Sequence, residues 1–329
     1  MKALACAVAV LLTQSTWRDP SPHQVRIVTV DSDVRLEVLD WGGSGRPLIF
    51  ISCYLTAHAY DDIAPKLTDR FHVYGLTRRG IGESDRPSAG YELQRSVTDL
   101  LEVLDSLQIQ KPIVAASSCG GWTSTMVAVQ HRDRIGALVY LEAADDPMLT
   151  LADYNLPPVD EAELPKRKER PPLDFSSFAA YQRTQRARSG VAFPEAELRQ
   201  LFAVKPDGSL GPEQLSPVVR RAITSGNRST PDFARVRVPV LALFRTPPPF
   251  DEVAREYVID NDRQRAALRQ DLDNERLMTA RWERDLLKAV PAAKIVELPR
   301  ASVFMFLSHE ADVIRKITAF AASLAPERH

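Results

Sequence analysis

The chain has 329 residues, 44% of them hydrophobic and 26% charged. That is ample for one large domain with an insertion, or two small domains, and it excludes wholesale disorder. The 42 Lys and Arg against 43 Asp and Glu leave a net charge of −1, so no basic field points to nucleic acid or an acidic membrane as partner. Three cysteines are too few for a disulfide framework. No Cys/His spacing suggests a metal, and no motif calls for a cofactor.

Met1-Lys2 followed by the apolar run Ala3 to Leu12 and a polar stretch reads as an export signal over residues 1–17. No apolar run reaches the ~18 residues of a membrane span. Gln24 to Val30 and Asp33 to Asp40 are predicted strands, joined as a hairpin by Asp31-Ser32-Asp33. Pro47 to Ser52 is a continuous apolar run, the mark of a strand buried on both faces. The pattern then alternates: helical spacing through Asp61 to Leu67, a strand at Phe71 to Leu76 and an amphipathic helix at Ser96 to Leu107. Next come a strand at Pro112 to Ala116, a helix at Gly121 to Gln130 and a strand at Ile135 to Leu141. Alternating strands and helices predict an α/β fold: a mostly parallel sheet with helices on both faces and right-handed crossovers.

From Asp146 to Arg235 the alternation breaks. Eleven of the 24 prolines lie between Pro147 and Pro231, and helical patterns occur at Phe175 to Arg188 and Pro194 to Val204, with no convincing strand. Residues 146–235 therefore read as a helical insertion between core segments 18–145 and 236–329. Its Lys166-Arg167-Lys168-Glu169-Arg170 cluster is expected to be a solvated loop. Strands at Val238 to Phe244 and Ala293 to Leu298 resume the sheet. A long charged helix, Asp262 to Val290, separates them, and a last helix, Ser308 to Leu324, has Ser308 as its expected N-cap.

The chemistry concentrates at Ala116-Ser117-Ser118-Cys119-Gly120. A buried strand enters Ser118, a helix leaves it, and small residues flank it at two positions on either side. A nucleophile elbow needs this arrangement, because a bulky flank would collide with the strand or helix. The serine then stands at a helix N-terminus, where developing negative charge is stabilised. A serine acting only as helix N-cap fits Ser117 better.

With Arg79-Gly80-Ile81-Gly82-Glu83-Ser84-Asp85-Arg86-Pro87, Thr56-Ala57-His58, Asp61-Asp62-Ile63-Ala64-Pro65 and Phe304-Met305-Phe306-Leu307-Ser308 beside this elbow, the chain resembles the α/β-hydrolase superfamily, in particular a bacterial, often exported branch. The resemblance implies an α/β-hydrolase fold whose helical insertion is a cap over the site, with Ser118 as nucleophile. Cys119, Cys53 and Tyr54 would supply the oxyanion segments. Glu142, at the end of a buried strand, is the preferred catalytic acid, as in haloalkane dehalogenase-like relatives; Asp251, or Glu252 beside it, is the alternative. The general base is expected in the loop after the last strand, where Val303 stands and cannot accept a proton. His309 follows at the start of the last helix, and His58 lies in the loop after the third strand.

Three functions stay open. The first is hydrolysis of ester-like or related small apolar substrates. The second is binding of a small ligand without turnover, and the third a non-hydrolytic reaction in the same pocket. Each expects a small-molecule partner and an apolar pocket bordered by Ser118, Tyr54 and Glu142. Cys53 and Cys119 are expected to be neighbours but unbonded, two buried thiols; the alternative is a disulfide tying the two oxyanion segments together.

Overall fold

The computed structural model describes residues 17–149, 151–226 and 229–325; the proposed signal segment lies almost wholly outside them. An eight-stranded sheet organises the chain: β1 (Gln24–Val30), β2 (Val34–Gly42), β3 (Arg46–Ile51), β4 (Phe71–Leu76), β5 (Ile113–Ser117), β6 (Ala137–Leu141), β7 (Val240–Thr246) and β8 (Lys294–Pro299), in spatial order β1-β2-β4-β3-β5-β6-β7-β8. The first hairpin and the β2–β4 pairing are antiparallel. All pairings from β4 through β3 to β8 are parallel.

Burial on both faces explains the continuous apolar strands. Val114 and Ala116 of β5 pack with helices α1 (Leu93–Ser106), α2 (Gly120–Gln130) and the end of α7 (Asp262–Ala289). Ile113 and Ala115 face the other way, toward the last helix α9 (Glu310–Ala322) and the turns at Ala57–Tyr60 and Ala64–Leu67. The hairpin is one-sided instead: Val28 and Val30 are buried, while Val25 and Ile27 are more than half exposed.

The insertion carries α3 (Phe178–Ser189), α4 (Glu195–Leu201) and α5 (Pro217–Gly226), but it also contains strands. Phe202–Val204 and Leu210–Glu213 form a small hairpin. Lys166–Arg167 pairs with Tyr257–Val258, and Arg167 and Arg170 bind Glu256, so the basic cluster is a docked edge rather than a free loop. A short helix α6 (Phe250–Ala254) follows the proline run, and the last helix is split by His309 into α8 (Met305–Ser308) and α9. Ser308 thus ends one helix instead of capping the next; its Oγ accepts the Ser302 N–H at 3.0 Å. The helix expected from Asp61 to Leu67 is a turn followed by one short 3-10 helix, Ala64–Leu67, with Pro65 in its first turn; another 3-10 turn, Ala57–Tyr60, precedes it.

A buried ion cluster joins the β4 loop to α1. Arg79, 2% exposed, donates from Nε and Nη2 to the two oxygens of Asp99, each at 2.7 Å. Arg95 adds a bond from Nε to Asp99 at 2.8 Å. Such a pair contributes little against an apolar replacement, but breaking it strands a buried charge. Asp99→Ala is therefore expected to lower unfolding free energy by about 3–5 kcal/mol, read as a fall in urea midpoint with unchanged slope.

Candidate active site

Ser118 sits between the end of β5 and α2 with φ +51°, the left-handed backbone region that costs a non-glycine residue about 1–3 kcal/mol. The turn tolerates no bulk on its helical side. A Cβ on Gly120 would stand 2.9 Å from the Ile51 carbonyl oxygen, and one on Gly121 would overlap the Ala143 carbonyl. The start of α2 is thereby wedged between the chain segments at the ends of β3 and β6. Ser118 is half-buried. Its neighbour Ser117 is 3% exposed and held by Tyr60 Oη at 2.8 Å and by its own bond to Ser52 Oγ at 3.1 Å. Ser117 is therefore not the helix cap that its position suggests; Cys119 holds the N-cap position. Of the two serines, Ser118 is the one presented.

The two segments expected to supply the oxyanion donors meet, and more closely than expected: Cys53 and Cys119 form a disulfide with Cα atoms 5.3 Å apart. The expectation of two free thiols is corrected. The sheet makes the bond possible, because β3 and β5 are adjacent parallel strands with Ile51 opposite Ala116, so the residues just beyond them leave the sheet side by side. The Cys119 N–H, at the start of α2, is among the donors that no helical carbonyl can reach.

The insertion packs onto this bond. Leu215 and wholly buried Ile223 of the insertion join Cys53, Ile81, Tyr91 and Cys119 in one apolar cluster. Tyr54 Oη lies 2.6 Å from Thr224 Oγ1 on α5. Behind the disulfide, buried Arg78 donates to Ser96 Oγ at 3.0 Å and approaches Cys53 Sγ at 3.6 Å. Burial lowers its pKa to about 10, which still leaves it cationic at neutral pH.

Among the described residues, Ser118 Oγ makes no hydrogen bond to any histidine, and the histidines are engaged elsewhere. His72 binds Asp40 at 2.8 Å, His309 Nδ1 faces Ser308 Oγ at 3.0 Å, and His23 and His58 lie among Asp19 and Asp61. His131 ends α2 beside Arg132 and Arg235. Val303, at the expected base position, is 43% exposed. Its loop closes on itself through Phe304 N–H donating to Ser302 Oγ at 3.1 Å.

The acid positions have partners of another kind. Glu142, also at positive φ (+53°), accepts the Arg245 N–H at 2.7 Å and lies 3.3 Å from Arg245 Nε. Arg245 continues to Glu275 at 2.6 Å. Burial pushes the Glu142 carboxyl up to about 7, against the opposing pull of Arg245. Asp251 is exposed on α6 and borders a shallow surface pocket with Lys168 and Arg255. Neither carboxylate hydrogen-bonds to a histidine.

Sequence reasoning missed one acid. Glu197 of α4 is fully buried and accepts Thr56 N–H at 3.2 Å and Thr56 Oγ1 in a short bond. It pins the insertion to the loop after β3. It lies amid ordinary charged helix sequence, Glu195-Ala196-Glu197-Leu198-Arg199, where nothing distinguishes it from a solvated residue.

Two outcomes test this arrangement. Unreduced protein is expected to resist alkylation at Cys53 and Cys119. Replacing both by Ser is expected to lower stability by about 4 kcal/mol, from the loop entropy of a 66-residue separation. Burial raises the Glu197 pKa to about 8, outweighing its bonds from Thr56. Stability from this proton is complete below the unfolded value near 4.5 and is lost as pH rises through about 8. Glu197→Gln is expected to remove that decline, so denaturation midpoints of variant and wild type should diverge in the variant's favour from pH 5 to pH 9.

Comparisons with known proteins agree with this fold. The profile described as "Alpha/beta hydrolase family" matches residues 42–316. The AB hydrolase superfamily protein YisY of Bacillus subtilis is 32% identical over 105 residues, 31% of this chain and 39% of that protein. Haloalkane dehalogenase 2 of Mycobacterium bovis is 29% identical over 213 residues, 59% of this chain and 69% of that protein. The chain spans from about a third to under half the length of the first curated relatives it matches. Among solved structures, E-2-(acetamidomethylene)succinate hydrolase superposes with a TM-score of 0.64 at 19% identity, covering 92% of this chain and all of that one. An α/β hydrolase from Novosphingobium aromaticivorans gives 0.61 at 16% identity, covering 92% and 99%. The elbow, the sheet order and the match along residues 42–316 make this chain a member of the alpha/beta hydrolase family.

Proposed function

We propose that this family member has kept the nucleophile elbow and lost the group that activates it, so that it holds a small, largely apolar ligand with little or no turnover. The observation that carries this reading is that Ser118 has no imidazole partner, while each candidate base and acid is engaged elsewhere or exposed. A serine hydroxyl is a weak nucleophile unless a neighbouring base takes its proton. The disulfide adds to this by limiting how far the oxyanion segments can relax around a tetrahedral intermediate. It also supports an oxidising compartment, in keeping with export directed by residues 1–17. Residues 146–235 act as the cap in this reading.

Room for a ligand lies along α2 and under the end of the insertion, away from Ser118. A cavity of about 160 Å³ runs between Trp122 and Met126 of α2 and Pro231 at the end of the insertion. Another, of about 280 Å³, lies between Ala144, Phe233 and Trp282. Neither is lined by Ser118, Tyr54 or Glu142, so these cavities are not the pocket expected at those three residues, and a ligand in either would lie out of reach of Ser118.

One observation favours a slow serine esterase as second reading: Ser118 retains the strained backbone of a working elbow. Turnover of p-nitrophenyl acetate separates the two. Binding without catalysis predicts a rate well below the ordinary range of about 1–10³ s⁻¹, changed less than about tenfold by Ser118→Ala, and no labelling by a fluorophosphonate. A slow esterase gives Ser118-dependent labelling and a residual rate, since binding and the oxyanion hole alone supply about 10³–10⁴-fold over water. Ordinary turnover abolished by Ser118→Ala would overturn the proposal.

A further inference from the structure

Outside the elbow, the largest concentration of unassigned ligating side chains joins the start of the described chain to the loop after β3. Asp19 and His23 come from the extended segment before β1, and His58 and Asp61 from the turn at Ala57–Tyr60 and its end. One ligand atom from each lies within 4.8 Å of all the others. The side chains of His23, His58 and Asp61 are 5–7% exposed and that of Asp19 is 19% exposed. The edge of the His23 ring packs against Trp41, with centroids 5.8 Å apart.

We propose that these four residues form a structural divalent-metal site, of the tetrahedral two-nitrogen, two-oxygen kind that zinc occupies.

Three features support it. First, the spacing fits. His58 Nδ1 lies 2.9 Å from Asp61 Oδ2 and 3.1 Å from Asp19 Oδ2, and His23 Nδ1 lies 3.1 Å from Asp61 Oδ1. The His23 Nε2 to Asp19 Oδ2 separation is 3.9 Å. Zinc bonds of about 2.0–2.2 Å set the edges of a coordination tetrahedron at about 3.3–3.6 Å; with His23 using one nitrogen and Asp61 one oxygen, four atoms already within 4.8 Å of one another would draw in to that spacing on binding.

Second, hydrogen bonding alone leaves the cluster incomplete. His58 Nδ1 faces two carboxylate oxygens and carries at most one hydrogen. The oxygen it fails to satisfy, Asp19 Oδ2, is buried with no hydrogen-bond partner. A cation at the centre would satisfy both oxygens at once.

Third, an outer shell orients the ligands. Asp19 Oδ1 accepts the Ser21 N–H at 2.9 Å, and Ser21 Oγ accepts Trp41 Nε1–H at 3.0 Å. Buried Glu37 places Oε1 3.6 Å from His58 Nε2, while its Oε2 accepts Thr77 Oγ1–H at 2.8 Å. A carboxylate behind a ligating imidazole is the arrangement that fixes the ring and strengthens it as a ligand. With four protein ligands and no open position, the ion would be structural. It would staple the segment before β1 to the loop that carries Cys53.

The test uses the full chain without a histidine tag, stripped with EDTA and dialysed. Titration with Zn²⁺ followed by calorimetry is expected to show one saturable equivalent binding at micromolar or tighter affinity, with a rise in melting temperature that levels off at one equivalent. Asp19→Asn and His23→Gln should each weaken binding at least tenfold, and Glu37→Gln roughly tenfold to a hundredfold. No saturable binding below about 100 µM, or stoichiometric binding untouched by Asp19→Asn and His23→Gln together, would overturn the proposal and leave an ion-pair cluster. Should the variants fail to fold, Co²⁺ uptake by the wild-type chain decides. Intense visible bands of a tetrahedral site support the assignment; weak octahedral bands or no uptake overturn it.

Discussion

The approach of α2 to the ends of β3 and β6 is the constraint on which the site depends. At Gly120 and Gly121 the helix backbone comes so near the Ile51 and Ala143 carbonyls that no side chain fits. The chain can make that approach only by turning sharply at Ser118, at the expense of a left-handed backbone on a non-glycine residue. The turn faces Ser118 outward, buries Ser117, and sets Cys119 beside Cys53. Neighbouring strand ends, the elbow and the disulfide are thus three results of one close packing.

Much of this was legible in the sequence. All eight strands of the main sheet stand out: the central ones, buried on both faces, read as unbroken apolar runs, the hairpin strands by their β-branched and alternating residues, and small residues around Ser118 mark a turn that excludes bulk. What escaped is instructive. Asp99 and Glu197 are buried charges in helices that otherwise read as amphipathic or charged, and their role depends on partners 20 and 141 residues away in sequence. The short strands of the insertion are two to four residues long, too brief for an alternating pattern to register. The sequence pattern brings Cys53 and Cys119 to neighbouring strand ends but does not orient their Cβ vectors, so it cannot tell a disulfide from two thiols. Ser308 was misread because a serine beside a helix can satisfy a loop donor as readily as a helix end.

The insertion and the core are joined by chemistry of different kinds at different points. Apolar contact of Ile223 with the disulfide is non-directional and excludes water. The Glu197–Thr56 bonds are directional and depend on a carboxyl that burial keeps protonated well into neutral pH. Together they make the loop after β3 a shared wall, with the elbow on one side and the insertion on the other.

The partnership of Glu142 with Arg245 bears on how such a site could regain catalysis. Installing histidine at Val303 would place an imidazole on an exposed loop, while Glu142, the preferred acid, is already paired with a guanidinium that also serves Glu275. A path back to a triad would thus have to redirect β6, β7 and α7 together. Each single step on that path exposes a charge before it gains a catalyst. In evolutionary terms, Arg245 would make the proposed loss of catalysis behave as a ratchet, easier to enter than to reverse.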